Sequence, residues 1–249
     1  MSPCSLPSAA PTPDLAAQPL PTPPAVWLVR HGESTWNTAG LCQGHNDEAE
    51  LTERGLRQAT EAAAQFGYRP VRAIYASDLR RARQTAAAFA AVLGLPVCTD
   101  PRLRERSLGV LEGTAHKTID PLATGLAEGF VIDPDVRPAA GESVRDLYLR
   151  AAAFCDDLAA GLRDHRGRRG DVLVIAHGGT VRVLDAYLNG IPVDQMTWRP
   201  VDNATIVRIT EFGTPLVDGA MAKTATVPHR QPADTPRGDD PRCAQGGNR

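Results

Sequence analysis

Short, unbroken apolar runs alternate with longer segments of helical spacing along most of this chain. Ala25 to Val29 is apolar at every position, and so is Val172 to Ala176. Runs of that length and character fit strands covered on both faces. Val71 to Tyr75 reads as a third strand, with shorter ones at Pro96 to Cys98 and Thr205 to Thr210. Between them, Leu56, Ala59, Ala63 and Phe66 recur at helical spacing after Thr52. The Thr52 hydroxyl suits an N-cap, where it accepts a free N–H of the first turn, and Gly67 stops the helix. Asp78 to Leu93 predicts an Ala-rich helix ended by Gly94. Gly141 to Leu162 contains another, capped at Ser143, and Thr180 to Leu188 a last one, ended by Asn189-Gly190.

Strands alternating with helices imply an α/β fold: a single three-layer domain with a mostly parallel central sheet and helices on both faces. The domain is expected over residues 25–227. Residues 1–24 and 228–249 read as disordered arms, because proline lacks the N–H that helix and sheet require and these stretches offer little to bury. No apolar run approaches the ~20 residues that span a bilayer. The N-terminus lacks the basic start and apolar stretch of a signal peptide. Cys4, Cys42, Cys98, Cys155 and Cys243 are scattered and odd in number, so neither a disulfide framework nor a zinc site is expected, and a reducing cytoplasm is the simplest compartment.

Chemistry gathers where the strands end, which is where open α/β sheets bind ligands. Arg30-His31-Gly32 follows the first strand, Ser77-Asp78 the second and His177-Gly178-Gly179 the third. Formal net charge is −2, so nucleic acid is not an expected partner, and affinity for anions must come from a local arginine cluster. Arg30 and Arg81 offer two forks that match phosphate bidentately. Gly32, Gly178 and Gly179 let backbone approach an anion. Glu105 supplies one carboxylate. Two arginines, two histidines and an acid make a phosphoryl-transfer set that needs no metal, because the arginines neutralise the charge.

Those residues sit in ordered motifs. Arg30-His31-Gly32-Glu33-Ser34-Thr35-Trp36-Asn37, Gln43-Gly44 with Leu51-Thr52 and Gly55, Ser77-Asp78-Leu79-Arg80-Arg81-Ala82, Glu105 with Gly109 and Glu112-Gly113, Gly141-Glu142-Ser143 and Ala176-His177-Gly178-Gly179 follow in sequence, with Asn203-Ala204 near the end. This series resembles the histidine phosphatase superfamily, which includes the cofactor-dependent phosphoglycerate mutases. The resemblance implies that His31 is the nucleophile, neutral, with its second ring nitrogen protonated and donating to a backbone carbonyl. It implies that Arg30, Arg81 and His177 hold the phosphoryl oxygens and that Glu105 protonates the leaving alcohol and then activates water. It further implies phosphate contacts from Ser34, Asn37, Gln43, Gly44 and Gly178, with no metal and no cofactor.

Only 27 residues separate Gly113 from Gly141, where the mutases carry a long insertion that helps to exclude water. The short segment resembles the phosphatase branch, so a phosphomonoesterase acting on a small phosphorylated metabolite is expected. A phosphoglycerate mutase is the alternative, and a non-catalytic phosphate-binding module a more remote one. Thr114 to Ala140 is expected to select the leaving group, with Phe130, Val131 and Ile132 as an apolar wall and His116, Lys117 and Arg137 meeting a second anion. Glu33 and Glu142 read as structural or rim residues. His45, His116, His165 and His229 read as surface residues. The relatives occur as monomers and homodimers, and either state fits this chain.

Overall fold

A computed structural model describes residues 25–127, 130–164 and 170–209. The arms expected at 1–24 and 228–249, with His165 and His229, lie outside the described residues. Strands β1 (Val26–Arg30), β2 (Val71–Ala76), β3 (Val97–Thr99), β6 (Asp171–Ala176) and β7 (Ile206–Ile209) form one sheet in the order β3-β2-β6-β1-β7. All pairings are parallel except that of β7 with β1. The helices are α1 (Thr35–Thr38), α2 (Glu53–Ala64), α3 (Arg80–Leu93), α4 (Val144–Asp164) and α5 (Gly178–Leu188). A two-stranded ribbon, β4 (Leu126–Ala127) with β5 (Phe130–Val131), and several short 3-10 turns occupy the segment before α4.

The unbroken apolar runs are explained by their two covered faces. Leu173 and Ile175 of β6, with Trp27 and Val29 of β1, pack against Ala62 and Ala63 of α2 and Ala82, Ala86 and Phe89 of α3. Val172 and Val174, with Val26 and Leu28, pack on the other face against Leu147, Ala151 and Phe154 of α4 and Val181 and Leu184 of α5. The Thr52 hydroxyl accepts Gly55 N–H at 3.0 Å, the cap its sequence predicts. Ser143 and Asp146 cap α4 reciprocally, with Asp146 N–H on Ser143 Oγ at 3.1 Å and Ser143 N–H on Asp146 Oδ2 at 2.8 Å. Gly94 ends α3 in the left-handed region at φ 65°.

Several expectations need correction. Leu56 is exposed, while Ala59, Ala63 and Phe66 carry the buried stripe of α2 and the turn behind it. That helix ends at Ala64, before Gly67, because the chain tightens through Gln65 and Phe66 N–H groups bonded to Ala62 and Ala63 carbonyls. Helix α5 starts at Gly178 rather than Thr180, so its open first turn belongs to the site. Cys42 and Cys155 are free and buried, but Cys98 is disulfide-bonded, which its spacing in sequence did not indicate. Among the described residues no helix is long and apolar enough to cross a membrane.

Candidate active site

The sheet order places β6 between β2 and β1, so three adjacent parallel strands deliver their carboxyl ends to one place. Ser77, His177 and His31 follow those ends. A cleft of about 290 Å³ opens there, lined by Arg30, His31, Asn37, Gln43, Gly44 and Arg81. Glu105, Gly178 and Gly179 line it as well.

His31 is buried, and its Nδ1 lies 2.7 Å from the Gly32 carbonyl oxygen. A carbonyl only accepts, so Nδ1 carries the proton and Nε2 presents its lone pair. Burial first, then the positive fields of Arg81 and Arg30, hold the imidazole well below its usual pKa and keep it neutral. The His31 carbonyl accepts Asn203 Nδ2 at 3.2 Å and Ala204 N–H at 3.2 Å, which ties the last motif to the nucleophile. Gly32 serves packing more than anion approach. A Cβ there would stand 2.4 Å from the Gly55 carbonyl oxygen, and one at Gly55 would stand 2.0 Å from that of Glu33. Glu33 is structural, with Thr52 Oγ1 on its carboxylate at 2.9 Å and Arg54 at 3.3 Å.

Four arginines line the cleft: Arg30, Arg81, Arg106 and Arg182. Each is anchored through backbone carbonyls. Arg81, fully buried in the first turn of α3, donates to Gly44 O at 2.9 Å and Asn46 O at 2.8 Å. Arg30 donates to Val201 O, Arg106 to Thr124 O and Arg182 to Arg199 O. Among the described residues no carboxylate forms an ion pair with any of the four, whereas Arg102, Arg104, Arg137, Arg145 and Arg150 are all so paired. Desolvation draws Arg81 down to about 10, still charged near neutrality.

Buried polar atoms in folded proteins are almost always partnered. Among the described residues four buried side-chain atoms are not: Arg30 Nε, Arg81 Nε, His177 Nδ1 and Arg208 Nε. Three of these belong to residues around His31. The His177 ring lies 5.2 Å from that of His31, and its Nε2 is 2.8 Å from Ser77 Oγ. If the Ser77 hydroxyl donates there, Nδ1–H is left free to donate to an anion.

The carboxylate of Glu105 accepts Arg106 N–H and Gly179 N–H, each at 2.8 Å. Arg104 pairs instead with Asp78, at 2.8 and 2.5 Å, so the Arg104-Glu105-Arg106 run is not a salt-bridge cluster. The Glu105 carbonyl accepts Arg150 Nη2 at 2.6 Å and His45 Nε2 at 2.8 Å, while Arg150 also binds the carbonyls of Arg102 and Arg104 and the carboxylate of Glu142. Glu142 is therefore structural too. A Cβ on Gly179 would stand 2.2 Å from Glu105 Oε1. Gly179→Ala should push that carboxylate aside and lower kcat by roughly ten- to a hundredfold with little change in KM. Steady-state kinetics check this, and an unchanged kcat would contradict it.

Asn37, Gln43, Gly44 and Gly178 line the cleft. Ser34 does not: buried beneath it, the hydroxyl caps α1 on Asn37 N–H at 3.2 Å and lies 2.9 Å from Gln43 Oε1. A side chain engaged in a cap faces its own helix. Gly44 has φ +47°, and a Cβ there would stand 2.1 Å from Glu112 Oε1.

The leaving-group side departs further from the sequence reading. Of Thr114 to Ala140, His116 and Leu126 line the cleft, joined by Leu108, Arg182 and Trp198 from elsewhere. Phe130 and Ile132 are exposed, and neither they nor Val131 form its wall. Arg137 is spent on Asp146 at 2.6 and 2.7 Å, and Lys117 lies outside. His116 is exposed, as the sequence reading expects, and it also lines the cleft with Nδ1 3.2 Å from the buried Cys42 Sγ. Arg106, Arg150, Arg182 and His45 went unrecognised in the sequence. Arg150 and Arg182 did carry a signal, each being an arginine beside apolar positions of its helix: Leu147, Ala151 and Phe154, or Val181, Val183 and Leu184.

The two buried imidazoles set a pH dependence. Burial, then Arg81 and His31, depresses His177 well below 6.5, as burial and the arginines depress His31. Between those lowered values and 6.5 the unfolded chain takes protons that the folded chain refuses. Stability is therefore complete above about pH 6.5 and falls as pH drops below it, by up to about 1.4 kcal/mol per unit for each histidine. Urea melts at pH 7.5 and 5.5 should show the loss, and saturating phosphate should reduce it by opposing the arginine fields. Equal stability at both pH values would contradict this.

Comparison with known proteins agrees with this geometry. A sequence model of the histidine phosphatase superfamily (branch 1) matches residues 26–214. The chain is 36% identical over 169 residues to glucosyl-3-phosphoglycerate phosphatase of Mycolicibacterium vanbaalenii, covering 67% of this chain and 75% of that protein. It is 34% identical over 205 residues to a probable phosphoglycerate mutase, GpmB, of Yersinia pestis, covering 80% of this chain and 91% of the relative. Among solved structures, native mycobacterial glucosyl-3-phosphoglycerate phosphatase superposes with a TM-score of 0.64 at 33% identity, over 74% of this chain and 89% of that one.

Proposed function

The chain belongs to the histidine phosphatase superfamily, and from that membership we propose that it hydrolyses small phosphomonoesters by passing the phosphoryl group through Nε2 of His31. The observation that carries this reading is the set of unpartnered buried nitrogens on Arg30, Arg81 and His177, which lie around the His31 ring and are donors of the kind that phosphoryl oxygens accept. These donors and the open N–H of Gly178 hold the non-bridging oxygens. His31 Nε2 attacks phosphorus as the ester P–O bond breaks, and Glu105 gives its proton to the departing alkoxide. The ionised Glu105 then takes a proton from water, which attacks phosphorus. The P–N bond breaks, its electrons return to Nε2, and inorganic phosphate leaves. Charge is neutralised throughout by the arginines, so a metal ion has no part in the scheme.

The Yersinia relative's name keeps a mutase in view. In a mutase, phosphohistidine returns its phosphoryl group to a bound sugar acid and water must be kept out. Here His116 and Leu126 are what the short segment before α4 contributes to the cleft lining, which favours water as the acceptor. The test is phosphate release from a panel of phosphomonoesters with excess EDTA, beside a mutase assay on 3-phosphoglycerate with its bisphosphate. We expect EDTA-resistant release of phosphate. Rapid isomerisation without free phosphate would overturn the hydrolytic reading.

A further inference from the structure

Glu105 lies on irregular chain between the 3-10 turns Pro101–Leu103 and Gly109–Leu111, so its main chain is held by side chains rather than by a helix or strand ladder. Arg150 is the principal one. It stands on α4, which Leu147, Ala151 and Phe154 anchor in the core. A guanidinium has five N–H donors, and on Arg150 each of them meets an acceptor. Nη1 donates to Arg102 O at 2.8 Å and to Arg104 O at 2.7 Å. Nη2 donates to Glu105 O at 2.6 Å and to Glu142 Oε2 at 2.9 Å, and Nε donates to Glu142 Oε1 at 2.9 Å. Glu142 extends the clamp: Oε2 also accepts Ser107 N–H at 2.9 Å, and Glu142 N–H donates to Ser107 O at 2.9 Å. The main chain is thus gripped on both sides of Glu105. From α5, Thr180 Oγ1 donates to Arg104 O at 2.8 Å, and Gly179 N–H holds the Glu105 carboxylate at the same distance. Arg150 and Glu142 stand behind the cleft and are not part of its lining, so they reach the reacting atoms only through Glu105.

We propose that Arg150, braced by Glu142, is the positioning residue that aims the Glu105 carboxyl at the leaving-group oxygen. The inference rests on the phosphatase reading, in which Glu105 protonates the departing alkoxide. One planar fork fixes three carbonyls and a carboxylate at once. An ammonium has three donors on a single atom and cannot span them. Loosening the clamp displaces the acid, and only a step that needs its proton is slowed.

The test reads kcat/KM, which covers phosphoryl transfer to His31, for two kinds of ester. One is the alkyl phosphomonoester hydrolysed fastest in the panel above, whose alkoxide needs a proton. The other is p-nitrophenyl phosphate, whose nitrophenolate does not. Arg150→Lys should lower kcat/KM about a hundredfold for the alkyl ester and by less than about threefold for p-nitrophenyl phosphate. In a Glu105→Gln background the same replacement should lower alkyl-ester hydrolysis by no more than about twofold, because the group it positions is already gone. Glu142→Gln, nearly the same in shape, should show the selective loss at about tenfold, and it decides the matter if Arg150→Lys does not fold. Equal losses with both esters, a loss as large in the Glu105→Gln background, or an unchanged kcat/KM for the alkyl ester would overturn the assignment and leave the phosphatase reading intact. Release of phosphate from no ester by wild type would overturn the phosphatase reading, and this inference with it.

Discussion

Replacing His31 by alanine should lower turnover of every accepted ester by at least about four orders of magnitude, the loss expected when a nucleophile acting as part of a unit is removed. No neighbour can substitute. His177 has Nε2 engaged with Ser77, and its ring centre is 5.2 Å from that of His31. Stability should change in two opposed ways. Loss of the buried ring leaves a cavity and deprives Gly32 O of its donor, costing on the order of 2–4 kcal/mol near neutrality. Below about pH 6.5 the variant should lose stability less steeply than wild type, because one depressed imidazole is gone. Phosphate should still raise the melting temperature, since the arginines remain. Activity within a hundredfold of wild type would show that another group accepts the phosphoryl.

Arg81→Ala should be nearly as damaging, by about three orders of magnitude in kcat/KM, and should also destabilise the fold. One guanidinium performs two tasks. It binds the carbonyls of Gly44 and Asn46 and so holds the loop that supplies Gln43 to the cleft. It also carries an unpartnered Nε beside the nucleophile. Removal leaves the buried Gly44 carbonyl short of a donor, at about 1–3 kcal/mol, and the half-buried Asn46 carbonyl at less, and removes charge stabilisation from the transition state. Arg81→Lys should not recover activity to within tenfold, because an ammonium lacks the fork that reaches two carbonyls and an anion together. Kinetics with thermal melts separate the two tasks. Full rescue by lysine would show that charge alone matters.

The strands and the reactive clusters behind them are legible in the sequence because they depend on order along the chain. Val172 to Ala176 is apolar throughout since both faces of β6 are covered, and the same pattern marks β1. Each reactive cluster directly follows one of these strands or β2, so reading the strands located His31, Ser77 and His177. The remainder depends on encounters between distant backbone groups. Arg150 matters through the carbonyls of Arg102, Arg104 and Glu105, and His45 through the last of these, none of which has a sequence pattern. Ser34 looked like a phosphate ligand because its motif is shared, yet its hydroxyl is taken by a helix cap. Thr114 to Ala140 supplies His116 and Leu126 to the cleft, and folding adds Leu108, Arg182 and Trp198 from distant positions that no local pattern marks.

A phosphoryl group on His31 can be trapped and located chemically. In Glu105→Gln the acid and base are gone, but nitrophenolate leaves without a proton, so p-nitrophenyl phosphate should load the enzyme faster than water unloads it. Alkaline quenching preserves phosphohistidine, and mass spectrometry of the digest locates it. One phosphoryl group is expected on His31, decaying to inorganic phosphate and absent when His31→Ala is added. A label on another residue, or undiminished hydrolysis by His31→Ala with no label, would contradict it.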